Sequence, residues 1–186
     1  MEQDRTRWDL RYTGRAPASS TPPEVLVAAP HLVEHVPTSG RALDLACGTG
    51  AQSLWLAERG LDVVALDVSP AAIDLLSQAA DTAGLDIDAR VHDTDCGLPA
   101  DLDDLDVIVC QRFRSVDLYG QLVSRLAEGG VLLLTVLSAV GSEGGRFHAA
   151  AGELIDAFGR HDVVHHAEGD GLASIAVRRA NARGVS

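Results

Sequence analysis

The sequence predicts an α/β fold, a doubly wound Rossmann-like sandwich with a mainly parallel seven-stranded sheet and an antiparallel edge hairpin. Three observations carry that expectation. Short apolar runs such as RALDLAC and DVVALD alternate with helix-patterned segments at a strand-helix-strand cadence. The helix-patterned segments stop at glycines, as at Gly60 and Gly84. Near the end of the sequence two runs flank Gly169-Asp170-Gly171, the signature of a hairpin turn.

Taken in order, residues 1 to about 23 read as loop, because they hold charged and small residues with no apolar period and only Trp8 and Tyr12 as large anchors. From Glu24 to Val36 apolar residues recur at helical spacing, and Pro30 breaks the helix they predict. RALDLAC is the first strand, Ala51 to Arg59 a helix, and DVVALD a β-branched second strand. Ser69 followed by Pro70 is a helix N-cap with proline at the first helical position, and that helix runs to Gly84. Strands are expected at 89–92 and 106–110, and a helix from about Val116 to Ala127 stopped by Gly129-Gly130. The buried-looking strand VLLLTVL, a helix over Ala149–Phe158 and hairpin strands at 162–167 and 172–177 complete the chain. No repeat or linker divides it, so all 186 residues read as a single domain.

Composition narrows the chemistry. With 27 Asp+Glu against 15 Lys+Arg the net charge is −12, which disfavours a nucleic-acid binder or an anionic membrane surface. All the basic residues are arginine, so Schiff-base, Walker-loop and protein-kinase chemistry, each needing a lysine, are excluded. Cys47, Cys96 and Cys110 match neither a disulfide framework nor a zinc pattern. No secretory leader and no membrane-length apolar run is seen, and a cytoplasmic protein is expected.

The strongest motif is ALDLACGTG, Ala42 to Gly50, at the end of the first strand and the start of a helix. Glycines there let the chain turn sharply and let a ligand approach the backbone. Asp67, 17 residues beyond Gly50, ends the next strand, where a carboxylate can accept bonds from both ribose hydroxyls. A dinucleotide fingerprint would need a third glycine, but Ser53 stands in that register, and Asp44 and Cys47 would have no role. The acidic strand end in Asp44-x-Ala46-x-Gly48-x-Gly50 suits a ligand with an amine and a sulfonium, S-adenosylmethionine (SAM).

On these residues the chain resembles class I SAM-dependent methyltransferases over nearly its whole length. The resemblance implies that Asp44, Ala46, Cys47, Gly48 and Gly50 hold the methionine part, with Ala46 in place of the first glycine of that family's loop. It implies Asp67 for the ribose, Val68 beside the adenine, Asp93 for the adenine amino group with the Thr94 amide, and Cys110 beside the sulfonium. More narrowly, Trp8-Asp9-x-Arg11-Tyr12, WLAERG, CQRF and FHAAAGELIDAF resemble the small tellurite-resistance and thiopurine-methyltransferase-like group. There, residues 1–23 would be a lid over the cofactor, and Arg11 would meet its carboxylate. The Asn/Asp-Pro-Pro-Tyr signature of DNA and protein amine methyltransferases is absent, since Cys110-Gln111-Arg112-Phe113 follows the fourth strand.

The expectation is methyl transfer to a small-molecule acceptor with an S, O, N or chalcogen nucleophile. A non-catalytic SAM-binding module and an NAD(P)-binding oxidoreductase remain the alternatives. Catalytic candidates are His148, after the glycine-rich 141–145 loop, and Arg112, an anion anchor at the open end of the sheet. His31-Leu-Val-Glu34-His35 matches a zinc-helix pattern but reads as a solvated face, as does the acidic run at 101–106. His165-His166 places one ring on each face of a strand, with no role assigned to either, and no metal is expected.

Overall fold

The structure, a computed structural model, describes residues 2–180. Seven strands form one sheet in the order β3-β2-β1-β4-β5-β7-β6: β1 (Arg41–Leu45), β2 (Asp62–Asp67), β3 (Ile87–Val91), β4 (Leu105–Gln111), β5 (Leu126–Leu137), β6 (Asp162–Gly169) and β7 (Leu172–Arg178). β1 pairs in parallel with β2 and β4, β2 with β3, and β4 with β5, while β7 runs antiparallel between β5 and β6. The expected α/β sheet with its antiparallel hairpin is therefore what the chain forms. The hairpin turns on Asp170-Gly171, both with positive φ (51° and 78°), the backbone that matches the twist of the flanking strands.

Strand alternation sorts the core into two layers. Leu43, Leu45, Leu66, Ile108, Leu132 and Leu134 pack with α5 (Val116–Ser124) and α6 (Glu153–Phe158) through Leu118, Leu122, Leu154 and Phe158. Ala42, Val63, Val107, Val109, Val131 and Leu133 face the other way, against α2 (Glu24–Ala28), the 3₁₀ turn Pro30–His35 and α3 (Ala51–Glu58). There α3 meets α4 (Pro70–Ala83) through Leu54, Ile73 and Leu76. Burying both faces in this way accounts for the near-continuous apolar strands.

Three expectations need correction. Residues 2–12 are not loop but a helix, α1 (Glu2–Tyr12), which packs on α4. Its local pattern is too polar to reveal it; what stabilises it is a stack of Trp8 on Tyr12, with ring centroids 5.9 Å apart, and a long-range bond from Asp9 to the start of α4. Secondly, α5 ends at Ser124 and Gly129-Gly130 lie inside β5. The Arg125 carbonyl takes the Leu105 amide at 3.0 Å, drawing the chain into the sheet early, and a Cβ on Gly130 would lie 2.6 Å from the Leu105 carbonyl at the irregularity between Leu105 and Val107. Thirdly, α6 begins at Glu153 rather than Ala149, because Ala149 bridges to Ser138 beyond the end of β5. Pro30 does break the 24–36 helix, into α2 and the 3₁₀ turn.

Gly50 is where the first strand-helix turn is tightest. It caps α3 with φ 84°, and a Cβ there would overlap Leu76 of α4. Gly50→Ala should therefore lower stability by about 2 kcal/mol or more, through strain and overpacking; chemical denaturation reads it, and an unchanged midpoint would contradict this packing.

Candidate functional site

Strand order reverses between β1 and β4, so the helices that follow them leave on opposite faces and open a crevice at the carboxyl ends of the strands. A cleft of about 320 Å³ occupies it. Its floor is Ala46-Cys47-Gly48-Thr49, one wall is Asp67, Val68, His92 and Thr94, and the opposite rim is Glu24 with Gln111-Arg112-Phe113. Trp8, Arg11, Tyr12 and Arg15 roof it.

Asp67 organises the floor. It ends β2 and is only 7% exposed. Its Oδ2 accepts the Gly48 amide and its Oδ1 the Ser69 amide, both at 2.9 Å. Burial raises its pKa, and the Ser69, Gly48 and Val68 amides oppose that rise. The two carboxylate oxygens offer about four acceptor sites and these three amides fill at most three, so capacity remains for a ligand hydroxyl. The loop beneath is wound by left-handed residues at every second position, Ala46, Gly48 and Gly50, with φ of 55°, 53° and 84°. Ala46 thus holds a left-handed conformation that glycine adopts more readily, at a strain of about 1 kcal/mol. At Gly48 the missing side chain matters for space, since a Cβ would lie 2.9 Å from the Tyr12 hydroxyl.

The roof is fastened by Asp9. Its Oδ1 accepts the Ser69 hydroxyl at 2.6 Å and the Ala71 amide at 3.0 Å, while the Ser69 Oγ accepts the Ala72 amide at 3.2 Å. Two side chains from distant parts of the sequence therefore cap α4 together. Those bonds, Ser69 first, hold the Asp9 carboxyl below its ordinary value. Burial pushes the Tyr12 phenol up to about 12, so it stays protonated. The Arg11 guanidinium lies 5.1 Å from the Trp8 ring centroid, a cation-π contact that holds it over the cleft.

The structure brings Arg11, Ala46, Cys47, Gly48, Asp67, Val68, Thr94 and Arg112 to the cleft. It does not bring Asp44, Gly50, Asp93, Cys110 or His148 there. Asp44 is 1% exposed and sealed beneath the loop, accepting the Ser53 hydroxyl at 2.5 Å; burial lifts its pKa to about 7. Gly50 backs onto Leu76. Asp93 takes the Asp95 amide at 3.0 Å as the cap of the turn Thr94–Cys96. Cys110 is buried in the core with its thiol on the Phe113 carbonyl, and burial raises its pKa as it does that of Cys47. His148 closes a turn on the Gly145 carbonyl.

The His31-Glu34-His35 set lies on a 3₁₀ turn, where residues three apart align and those four apart do not, so the two histidines do not share a face. Among the described residues no group of three or more His, Cys, Asp or Glu is placed to hold a metal ion. No helix among them is long and apolar enough to cross a membrane. Sequence reasoning missed Gln52, His92, Gln111 and Glu24 as lining residues. For Gln111 a signal existed: it continues the period-2 face of Val107 and Val109 one step past the core.

Residues 42–130 match the family profile described as a methyltransferase domain. The chain is 39% identical over 88 residues to the 2-heptyl-1-hydroxyquinolin-4(1H)-one methyltransferase of Mycobacteroides abscessus, covering 42% of this chain and 37% of that protein. It spans well under half the length of the curated relatives it matches. Among solved structures, TehB from Haemophilus influenzae superposes with a TM-score of 0.70 at 20% identity, over 83% of this chain and 61% of that one. The geranyl diphosphate C-methyltransferase of Streptomyces coelicolor, solved with S-adenosyl-L-homocysteine, gives 0.71 at 13% identity, over 96% and 98%. The fold is that of class I SAM-dependent methyltransferases.

Asp44 yields a pH signature. A carboxyl lifted from 3.8 to about 7 stabilises the fold fully below the unfolded value, and the contribution is lost as pH rises through about 7. Asp44→Asn cannot ionise, so it should gain on the parent by about 1.4 kcal/mol for each pH unit crossed between those values. Denaturation at pH 5 and pH 8 tests it; a stability difference independent of pH would contradict the buried, neutral-leaning carboxyl.

Proposed function

From the class I SAM-dependent methyltransferase fold, with its methyltransferase-domain match at residues 42–130, we propose that this protein transfers a methyl group from SAM to a small-molecule acceptor. The observation that carries the reading is Asp67, a buried carboxylate at the cleft whose acceptor capacity exceeds the backbone amides already in place on it. Such a group suits a ribose hydroxyl. Val68, His92 and Thr94 flank the space an adenine would take, and the Ala46–Gly48 backbone and Arg11 border that for the amino-acid part. The third-glycine position of a dinucleotide loop holds Ser53, whose hydroxyl is committed to Asp44, which favours SAM over a nicotinamide.

The sulfonium of SAM supplies an activated methyl: the acceptor's electron pair forms the new bond as the S–CH₃ bond breaks, leaving a neutral thioether. The chain's own residues then have positioning and water exclusion as their task. Trp8 and Tyr12 of α1 roof the cleft, and Asp9 fastens that roof to α4, so residues 1–23 include a lid whose docking shares Ser69 with Asp67. A soft acceptor such as a thiolate or another chalcogen anion needs no base; an acceptor hydroxyl or amine gives its proton to solvent or to a group it brings. That the Mycobacteroides abscessus relative is named for a hydroxyquinolinone supports a small-molecule acceptor.

Calorimetric titration with SAM, S-adenosylhomocysteine (SAH) and NADH side by side tests the cofactor. Micromolar binding of SAM and SAH without NADH heat is expected, and heat from NADH alone would overturn the reading. Asp67→Ala should weaken SAH binding at least tenfold, about 1.4 kcal/mol or more, in line with loss of a charge-assisted bond; unchanged affinity would remove Asp67 from the ribose site.

A further inference from the structure

The acceptor side of the cleft is built around an ion pair that leaves part of itself unsatisfied. Arg112 follows β4 with φ 58°, a left-handed backbone in a non-glycine residue, held there by its amide on the Thr135 carbonyl at 2.7 Å. In that conformation it lies at the rim with Glu24. The contact between them joins Arg112 Nε to Glu24 Oε1 at 2.7 Å. An arginine and a carboxylate can pair through two parallel bonds, yet here the second carboxylate oxygen, Glu24 Oε2, is buried without a partner among the described residues. The hydroxyl of Thr135, the β5 residue paired with Gln111, is likewise buried and unpartnered. Both partners of the ion pair are partly exposed, 58% for Arg112 and 36% for Glu24, so exchanging one carboxylate for another is inexpensive.

Around this pair the cleft carries Arg11 and Arg15, so three arginines stand against the carboxylates of Glu24 and Asp67. Trp8 and Phe113 add two aromatic rings. The whole chain at −12 repels polyanions at a distance, which leaves a singly charged ligand as the one the local arginines favour. Resting on the reading of this cleft as a SAM and acceptor site, we infer that the acceptor is a small aromatic carboxylate whose acidic group takes the Arg112 guanidinium from Glu24. Glu24 then acts as a competing internal anion, and Arg112 as a specificity-determining residue. Its strained backbone turns the guanidinium to the rim.

The test uses the full chain saturated with SAH, titrated with benzoate and with benzyl alcohol as probes of the same size and different charge. Benzoate is expected to bind at least tenfold more tightly, and Arg112→Met to abolish that preference. Glu24→Gln, which frees Arg112 from its competitor, is expected to raise benzoate affinity severalfold, a gain that loss of a merely structural ion pair would not produce. Equal binding of the two probes, or weaker benzoate binding in Glu24→Gln, overturns the inference while SAH binding stands. Failure of the parent protein to bind SAH overturns this inference and the reading it rests on together.

Discussion

A carboxylate buried at the end of β2 ties the cleft together. Asp67 accepts one amide from the glycine loop after β1 and another from the turn into α4. A buried charge of this kind is tolerable only where hydrogen bonds replace the water it has lost. Gly48 and Ser69 supply those bonds, and in doing so they fix two loops relative to each other. Ser69 in turn gives its hydroxyl to Asp9, while Tyr12, one turn further along α1, sets its hydroxyl against Gly48. Floor, wall and roof thus close into one ring of contacts through a single acidic side chain.

Three aspartates near one another meet different fates because their surroundings differ. Asp9 lies at the surface end of α4 and is held below its usual pKa by the Ser69 hydroxyl and the Ala71 amide. Asp67 is raised by burial and partly restored by amides. Asp44, sealed under the loop with a single serine partner, is raised furthest, to about 7. The mutual repulsion of Asp44 and Asp67 adds to the rise of Asp44. The loop above Asp44 therefore rests on a group whose charge state changes near neutral pH.

The sheet was legible in the sequence because its signals are local. Apolar runs, the glycine stop at Gly84 and the Ser69-Pro70 cap each act within a few residues, and the structure reproduces them. The glycine loop and Asp67 were legible for the same reason. What was hidden depends on partners distant in sequence. Helix α1 has polar, unperiodic residues, and what holds it is Asp9 reaching 60 residues along the chain to Ser69. Asp44 and Cys110 were assigned to the cleft by position at strand ends, but packing turned both inward. Gly129-Gly130 look like a helix stop and instead lie inside β5, where Gly130 meets the Leu105 carbonyl at a strand irregularity, a close approach no single window of sequence displays.

The central claim is that Asp67 holds the Gly48 and Ser69 amides and, through Ser69, the roof. Amide hydrogen exchange, resolved by residue, tests it most directly. The expected result is that Gly48 and Ser69 exchange as slowly as amides inside α4, and that SAH further slows the amides of residues 9–12. Rapid exchange at Gly48 and Ser69, with or without SAH, would contradict the account.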